Sequence, residues 1–116
     1  VKQPEDSNLC GQACVATLAG VGLEESIRVF GTRGKTTTRQ IRQALLHLEV
    51  DCGERLVRGF PDGPAILKWT WPNGHSHWCV WMNNKYYDPC AGVHRKPPKY
   101  LTRANARVTS HLELYL

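Results

Sequence analysis

A cysteine, a histidine and an aspartate in this chain have the residue types of a thiol-based nucleophilic centre. Cys10 lies in the first turn of the first predicted helix, His77 lies in a predicted strand, and Asp88 directly precedes a proline. A thiol reacts as its thiolate, and the free N–H groups at a helix N-terminus lower its pKa by favouring negative charge. An imidazole serves such a thiol as base, and a carboxylate orients the imidazole. We therefore predict Cys10 as nucleophile, His77 as base and Asp88 as orienting acid.

The surroundings of Cys10 also favour a reactive thiol. Gly11 has no side chain, which would let a substrate carbonyl approach the sulfur closely, and the backbone N–H of Cys10 would face the resulting oxyanion. The chain has five cysteines, an odd number, so at least one thiol is unpaired. Cys14 is expected in the core or in a disulfide, and disulfides among the four cysteines other than Cys10 stay open.

The geometry between the predicted base and acid depends on a turn at residues 83–84. If these two asparagines form a two-residue hairpin turn, Met82 pairs with Lys85. His77 and Asp88 then lie diagonally on one face of the hairpin, with roughly 5–8 Å between their backbones. A three-residue turn would reverse the parity, so the predicted site depends on this turn.

Helical periodicity precedes strand-like alternation along the chain. Helices are predicted over residues 9–20, 23–30 and 36–48, and strands over 64–71, 76–82, 85–88 and 107–116. Residues 92–106 are expected to be irregular, and the last strand is expected to place Val108, Ser110, Leu112 and Leu114 on one face. Candidate N-caps of the first helix are Asp6, Ser7 and Asn8. The predicted fold class is α+β, with N-terminal helices packed on an antiparallel sheet in one domain, 1–116.

The order of these motifs resembles that of the bacteriocin-processing (double-glycine leader) peptidases and their papain-fold relatives. The resemblance covers most of the chain and is carried by Gln3, Cys10-Gly11-Gln12-Ala13, Gly34-Lys35-Thr36, His77-Trp78-Cys79-Val80 and Tyr87-Asp88-Pro89. It implies a papain-like fold, a Cys10–His77–Asp88 triad and a protein or peptide substrate. It also implies that the side-chain amide of Gln3 contributes to the oxyanion hole. No cofactor is predicted.

The chain also resembles the papain-fold toxin tips of bacterial polymorphic and contact-dependent toxins, which are delivered into a target cell as part of a larger protein. It begins without Met and has a formal net charge of +5. We therefore expect a domain of a longer protein or a processed product. If an inhibitor or immunity protein binds the chain, we expect it to be acidic and to cover the Cys10 cleft. No apolar window of about 18 residues occurs, so no membrane span is predicted.

Other functions stay open. A glutamine deamidase or transglutaminase-type acyl transferase would use the same triad, and the stretch 77–89 resembles transglutaminase-like domains. A nucleic-acid-cleaving toxin would instead use the basic cluster His94, Arg95, Lys96 and Lys99. Nucleic acid is not the expected partner, because no nucleic-acid-binding signature is present. An inert papain-fold binding module would usually have lost the cysteine.

Individual site residues have alternative roles as well. His75 is a second candidate base, but its hairpin partner would lie beyond Pro89 and far from Asp88. A set with zinc-ligand chemistry consists of His75, His77, Cys79 and Cys90. Its spacing matches no common zinc finger, so no metal site is predicted. Asp88 also suits the start of a turn before Pro89, a role without catalysis.

Overall fold

The computed structural model describes residues 1–4 and 7–116 and arranges them as helices around a six-stranded antiparallel sheet. The helices are α1 (Cys10–Ala19), α2 (Leu23–Phe30), α3 (Thr38–His47) and α4 (Lys99–Arg103). The strands are β1 (Val57–Arg58), β2 (Ala65–Thr70), β3 (Ser76–Met82), β4 (Lys85–Asp88), β5 (Gly92–His94) and β6 (Arg107–Glu113). Their order across the sheet is β1-β6-β2-β3-β4-β5. The predicted combination of helices and an antiparallel sheet is confirmed.

The first helix begins at Cys10 without a side-chain cap. Its N-cap residue is Leu9, which makes no side-chain capping hydrogen bond. The prediction that Ser7 or Asn8 caps the helix is therefore wrong, since Ser7 Oγ donates to a backbone carbonyl of the preceding segment instead. The third candidate cap, Asp6, lies outside the described residues. The first amides of a helix have no intrahelical acceptor, so the start of α1 presents N–H groups beside the Cys10 sulfur.

Two apolar clusters lie on opposite faces of the sheet. The cluster under α1 and α3 contains Cys14, Val15, Ile41, Leu45, Val80 and Leu112. The cluster under α4 contains Leu67, Trp69, Cys79, Tyr86 and Leu101. Side chains alternate along a strand, so His77 shares a face with Cys79, on the side of α4. Cys10 comes from α1 on the other side, and the two meet where β3 begins.

The turn between β3 and β4 forms as predicted. Asn83 and Asn84 have φ values of 55° and 57°, which are those of a type I′ turn. Met82 pairs with Lys85, as the two-residue turn requires. The pairing of β3 with β4 extends only as far as Val80, so the first residues of β3 lie beyond this ladder. The two strands separate there, next to the N-terminus of α1.

Two predictions about the C-terminal third are wrong. Residues 92–106 are not irregular throughout, because they contain β5 and α4, which carries Tyr100. The register between β2 and β6 shifts so that Thr109 is an extra residue in β6. Such a bulge reverses the alternation of side chains. Val108 consequently packs with the α4-side cluster, while Leu112 belongs to the cluster under α1.

No helix in the described ranges 1–4 and 7–116 is long and apolar enough to cross a membrane.

The second residue of α1 has to be glycine for packing reasons. A Cβ at Gly11 would lie 2.2 Å from Oγ1 and 3.3 Å from Cβ of Thr36. The next residue, Gln12, is buried and donates from Nε2 to the carbonyls of Thr32 and Gly34, both at 3.0 Å. These contacts seat the loop before α3 directly on α1. The fold therefore requires Gly11 independently of any access to the thiol.

We expect Gly11→Ala to lower the free energy of unfolding by about 1–3 kcal/mol, because the added methyl group overlaps the Thr36 side chain. Gly63→Ala is the matched control, since a Cβ there would meet no described atom within 4 Å. Urea unfolding of both variants measures the difference. The double variant Gly11→Ala/Thr36→Ala should regain most of the lost stability, and failure to regain it would contradict this assignment.

Candidate active site

A cleft of about 510 Å³ lies where the start of α1 meets the start of β3. Its lining contains groups from several segments, including Gln3, Cys10, Lys35, Trp71, His77, Cys90 and Tyr100. The cleft is thus formed by residues that are far apart in the sequence. It brings two of the predicted triad residues, Cys10 and His77, to a common surface.

His77 and Asp88 form a buried hydrogen bond. His77 Nε2 lies 2.8 Å from Asp88 Oδ1, and the two residues are only 5% and 3% exposed. His77 ends up beside Asp88 because the β3–β4 turn has the two-residue form that sets this register. The imidazole therefore has one nitrogen committed to the carboxylate.

The second carboxylate oxygen of Asp88 is also fully engaged. Oδ2 accepts from the backbone N–H groups of Cys90 at 2.9 Å and Ala91 at 2.8 Å, and from the Tyr100 hydroxyl at 2.8 Å. Burial acts to raise the pKa of Asp88, but the hydrogen bonds from His77, Ala91 and Tyr100 hold it below its usual value. Asp88 thus both begins the turn at Pro89 and orients His77.

Tyr100 is a member of this network that the sequence analysis missed. Its hydroxyl lies 2.9 Å from His77 Nε2 and donates to the carboxylate of Asp88. Tyr100 reaches the site because α4 docks Leu101, which is fully buried, on the sheet. The sequence did contain a signal for α4, because Pro97-Pro98 precedes an apolar residue and proline favours the start of a helix.

The other imidazole nitrogen is left for the thiol. Because Nε2 of His77 is bound to Asp88 and Tyr100, Nδ1 is the nitrogen available to Cys10. Burial acts to raise the pKa of Cys10, but the hydrogen bond and charge of His77 lower it below the ordinary thiol value. The backbone N–H groups of Trp78 and Gly11 lower it further. The sulfur is therefore surrounded by donors that favour a thiolate.

His77 is shifted in the complementary direction. Burial acts to lower its pKa, but the hydrogen bonds and charges of Asp88 and Cys10 outweigh burial and raise the pKa of His77 to about 9. A lowered thiol pKa and a raised imidazole pKa together favour a thiolate–imidazolium pair at neutral pH.

Gln3 lies in the cleft with its amide directed at Ser7. Nε2 donates to the Ser7 carbonyl at 2.8 Å and to its hydroxyl at 3.2 Å. The carbonyl Oε1 of Gln3 is buried without a hydrogen-bond partner among the described residues. The backbone N–H of Gln3 donates to the Pro89 carbonyl at 2.9 Å, which ties the N-terminal segment to the turn after Asp88. Its oxyanion role stays a prediction.

The remaining histidine and cysteine candidates are not brought together. His75 is exposed at the cleft, while Cys79 is fully buried and accepts a hydrogen bond from Trp69 Nε1 at 3.1 Å. Of the four residues with zinc-ligand chemistry, His77 and Cys90 lie close together, whereas His75 and Cys79 do not join them. Cys14 lies in the core, and all five cysteines, each within the described part of the chain, are free thiols.

The basic cluster of the C-terminal third borders the cleft. Arg95, Lys96 and Lys99 are exposed around a groove of about 680 Å³ that also touches Tyr100. Nε2 of His94 donates to the Ala91 carbonyl at 2.7 Å. No ion pair among residues 1–4 and 7–116 involves these three basic side chains. The cluster is therefore a solvated positive rim next to the candidate site.

Comparisons with known proteins leave the family of this chain open. No protein-family model matches the chain, and no curated protein has a significant match to its sequence.

The geometry predicts that Cys10 reacts with iodoacetamide at pH values well below the ordinary thiol pKa of about 8.5. In His77→Ala the pKa-lowering hydrogen bond and charge are lost while burial remains, so the Cys10 pKa should rise. The labelling rate near pH 6.5 should then fall by roughly tenfold or more, since one pKa unit is a factor of ten. Mass spectrometry of peptides across a pH series locates and quantifies the label.

The matched control is His75→Ala, which removes the neighbouring exposed histidine and should leave the pH profile of Cys10 unchanged. A profile that shifts in His75→Ala and not in His77→Ala would mean that His75 is the partner of the thiol.

Proposed function

We propose that this chain is a papain-like thiol hydrolase that cleaves a peptide bond in a protein or peptide substrate. One observation carries the proposal: His77 Nε2 is bound to Asp88 Oδ1 at 2.8 Å and lies 2.9 Å from the Tyr100 hydroxyl, which leaves Nδ1 as the nitrogen available to Cys10. A nucleophile, a base and an orienter in this order are the parts of a hydrolytic triad. The lowered pKa of Cys10 is consistent with the role of nucleophile.

The architecture supports the papain-like part of the proposal. The nucleophile begins a helix that packs on one face of an antiparallel sheet, and the base and acid are carried by two neighbouring strands of that sheet. The catalytic groups thus face each other across a cleft between a helix and a sheet. The resemblance to papain-fold peptidases implies the same placement, with the nucleophile on a helix and the base and acid on the sheet.

In the proposed reaction, the Cys10 thiolate attacks the carbonyl carbon of the scissile peptide bond. The oxyanion that forms lies beside the free N–H groups at the start of α1, which stabilise its charge. His77 gives its Nδ1 proton to the leaving amine, and the C–N bond breaks to give a thioester. Water then attacks the thioester while neutral His77 accepts its proton, which releases the acid and restores the pair.

Asp88 and Tyr100 act on the ring of His77 in this scheme. Because both contact Nε2, the His77 ring cannot rotate without breaking the buried hydrogen bond to Asp88 and the partly buried one to Tyr100. The cost of an unpaired buried carboxylate therefore keeps Nδ1 directed at the sulfur through both proton transfers.

The proposal is tested by incubating the protein with a complex peptide mixture and analysing the products by mass spectrometry. We expect new peptide termini, and a loss of activity in Cys10→Ala. His77→Ala should lower the rate by roughly 10²–10⁴-fold, the contribution typical of a general base. Cys52→Ala is the matched control, because its thiol is outside the cleft lining.

The same experiment separates the other functions. A gain of about one dalton at glutamine, without cut peptides, would replace peptidase by deamidase while keeping the triad. Cleavage of RNA or DNA that persists in Cys10→Ala would overturn the thiol mechanism in favour of the basic cluster.

We further propose that the substrate or an inhibitor approaches this cleft with an acidic segment. Lys35 lines the cleft, and the rim formed by Arg95, Lys96 and Lys99 borders the adjoining groove. Such a positive field attracts acidic groups and is screened by salt. An immunity-like protein with a negative face would fit this surface by charge complementarity.

The test compares the rate at which negatively charged iodoacetate labels Cys10 with the rate for neutral iodoacetamide. The positive field predicts that the ratio of the first rate to the second is higher in wild type than in Lys35→Gln. Lys85→Gln, at the distant β3–β4 turn, is the control and should leave the ratio unchanged. Added salt should lower the wild-type ratio, since it screens exposed charges. A ratio that changes neither in Lys35→Gln nor with added salt would contradict a positively charged cleft.

A further inference from the structure

Three side chains of different ligand chemistry converge on one point beside the candidate site. One ligand atom each from His77, Asp88 and Cys90 lies within 4.8 Å of the others. We propose that this trio binds a thiophilic divalent cation such as Zn²⁺, and that the bound cation reversibly switches the hydrolase off. Cys10 is not a ligand in this site. The binding stands on geometry alone, whereas the inhibition rests on the proposed function.

The position of the Tyr100 hydroxyl carries this inference. The hydroxyl lies 2.9 Å from His77 Nε2 and 2.8 Å from Asp88 Oδ2, and the Cys90 sulfur lies within 4.8 Å of a ligand atom of each of these residues. Two of the three ligands therefore already converge on the point that this hydroxyl occupies, and the third lies nearby. Tyr100 is 38% exposed and belongs to a helix of only five residues. Its ring can therefore move outward and vacate that point.

The donor set suits zinc. Imidazole nitrogen, carboxylate oxygen and thiolate sulfur are the ligands of tetrahedral zinc sites, with bonds of about 2.0–2.3 Å. The ligand atoms of a tetrahedral site with such bonds lie roughly 3–4 Å apart, so the 2.8 Å contact between His77 Nε2 and Asp88 Oδ1 must open slightly, while the Cys90 sulfur, within 4.8 Å of the others, adjusts to it. Cys90 is exposed and free to change its rotamer. A water molecule can supply the fourth ligand.

Two of the ligands are already held in place. Asp88 is fixed by the backbone N–H groups of Cys90 and Ala91, at 2.9 and 2.8 Å. Hydrogen bonds of this kind orient the ligands of metal sites. The exposed thiol of Cys90 lines the cleft and gives a cation its route to the buried His77 and Asp88.

Binding deprotonates the Cys90 thiol and removes the Nε2 proton of the His77 imidazolium, so two protons pass to solvent. His77 then keeps its remaining proton on Nδ1 and has no free lone pair. It cannot accept a proton from the water that would release the acyl-enzyme. Occupancy should therefore stop turnover without any bond to Cys10.

The test is titration of Co²⁺, a spectroscopic probe for zinc sites, into the purified protein. In Cys10→Ala we expect about one equivalent of Co²⁺ to bind with a thiolate-to-metal absorption band, because the proposed site is intact. In Cys90→Ala the band should vanish and the affinity should fall at least about tenfold. The control Cys52→Ala, in which the cleft is unchanged, should bind as wild type does.

Tyr100→Phe keeps the inference testable if Cys90→Ala fails to fold. Removal of the hydroxyl vacates the convergence point, so this variant should bind Co²⁺ at least as tightly as wild type. Binding that is lost in Cys10→Ala and retained in Cys90→Ala would overturn the proposal, since it would place the cation between Cys10 and His77. The absence of binding in Cys10→Ala and Tyr100→Phe alike would overturn it too.

The inhibitory half has its own readout. Zn²⁺ should suppress peptide cleavage in wild type, and the ratio of rates with and without Zn²⁺ should return towards one in Cys90→Ala. If the protein shows the cobalt band but cleaves no peptide, the metal site is supported and the proposed hydrolase function is overturned. Cleavage that Zn²⁺ does not affect, at concentrations where the cobalt site is filled, would overturn the switch alone.

Discussion

The hydrogen bond between His77 Nε2 and Asp88 Oδ1 is the contact on which the rest of the site depends. A carboxylate that is only 3% exposed costs free energy unless donors replace the lost water. Two backbone N–H groups and the Tyr100 hydroxyl supply those donors on its other oxygen. With the carboxylate satisfied, Nε2 of the imidazole is held in place, and Nδ1 is the nitrogen left available to Cys10.

This arrangement requires the sheet to be open at one end. Cys10 comes from the helix on one face, whereas His77 alternates onto the opposite face together with Cys79. The two could not meet across a continuous sheet. They meet because β4 pairs only with the second half of β3, from Val80 to Met82. The backbone at the start of β3 is therefore exposed to the N-terminus of α1. The backbone N–H of Trp78 then helps to lower the pKa of the Cys10 thiol.

The same convergence accounts for both proposals. A network that brings a nitrogen and an oxygen atom to one hydroxyl, with a sulfur atom nearby, is suited to moving a proton and also to binding a cation. In the first role Tyr100 restrains His77, and in the second it must move away. The short helix α4, anchored by Leu101 and otherwise exposed, is compatible with both. Zinc and the proton on Nε2 therefore compete for one nitrogen of His77.

The amino-acid sequence by itself determined the local features of this protein. Asn83-Asn84 specifies a tight turn because asparagine tolerates positive φ, and that turn sets the register of His77 and Asp88. The periodicity of the helices and strands likewise predicted most elements, since each pattern reflects one buried face. The pairing of a helix-start cysteine with a strand histidine followed from their chemistry.

Only the tertiary structure decided which distant groups meet. The role of Tyr100 depends on α4 docking through one leucine, and five residues carry too weak a periodicity to reveal it. The bulge at Thr109 reversed the faces of β6, because an extra residue leaves no mark on an alternating pattern. The sequence predicts that Gly11 gives access to the thiol, whereas the structure adds a packing constraint, because a side chain there would overlap Thr36 from a segment distant in the chain. Long-range contacts of this kind depend on how the elements pack, which local residue preferences do not encode.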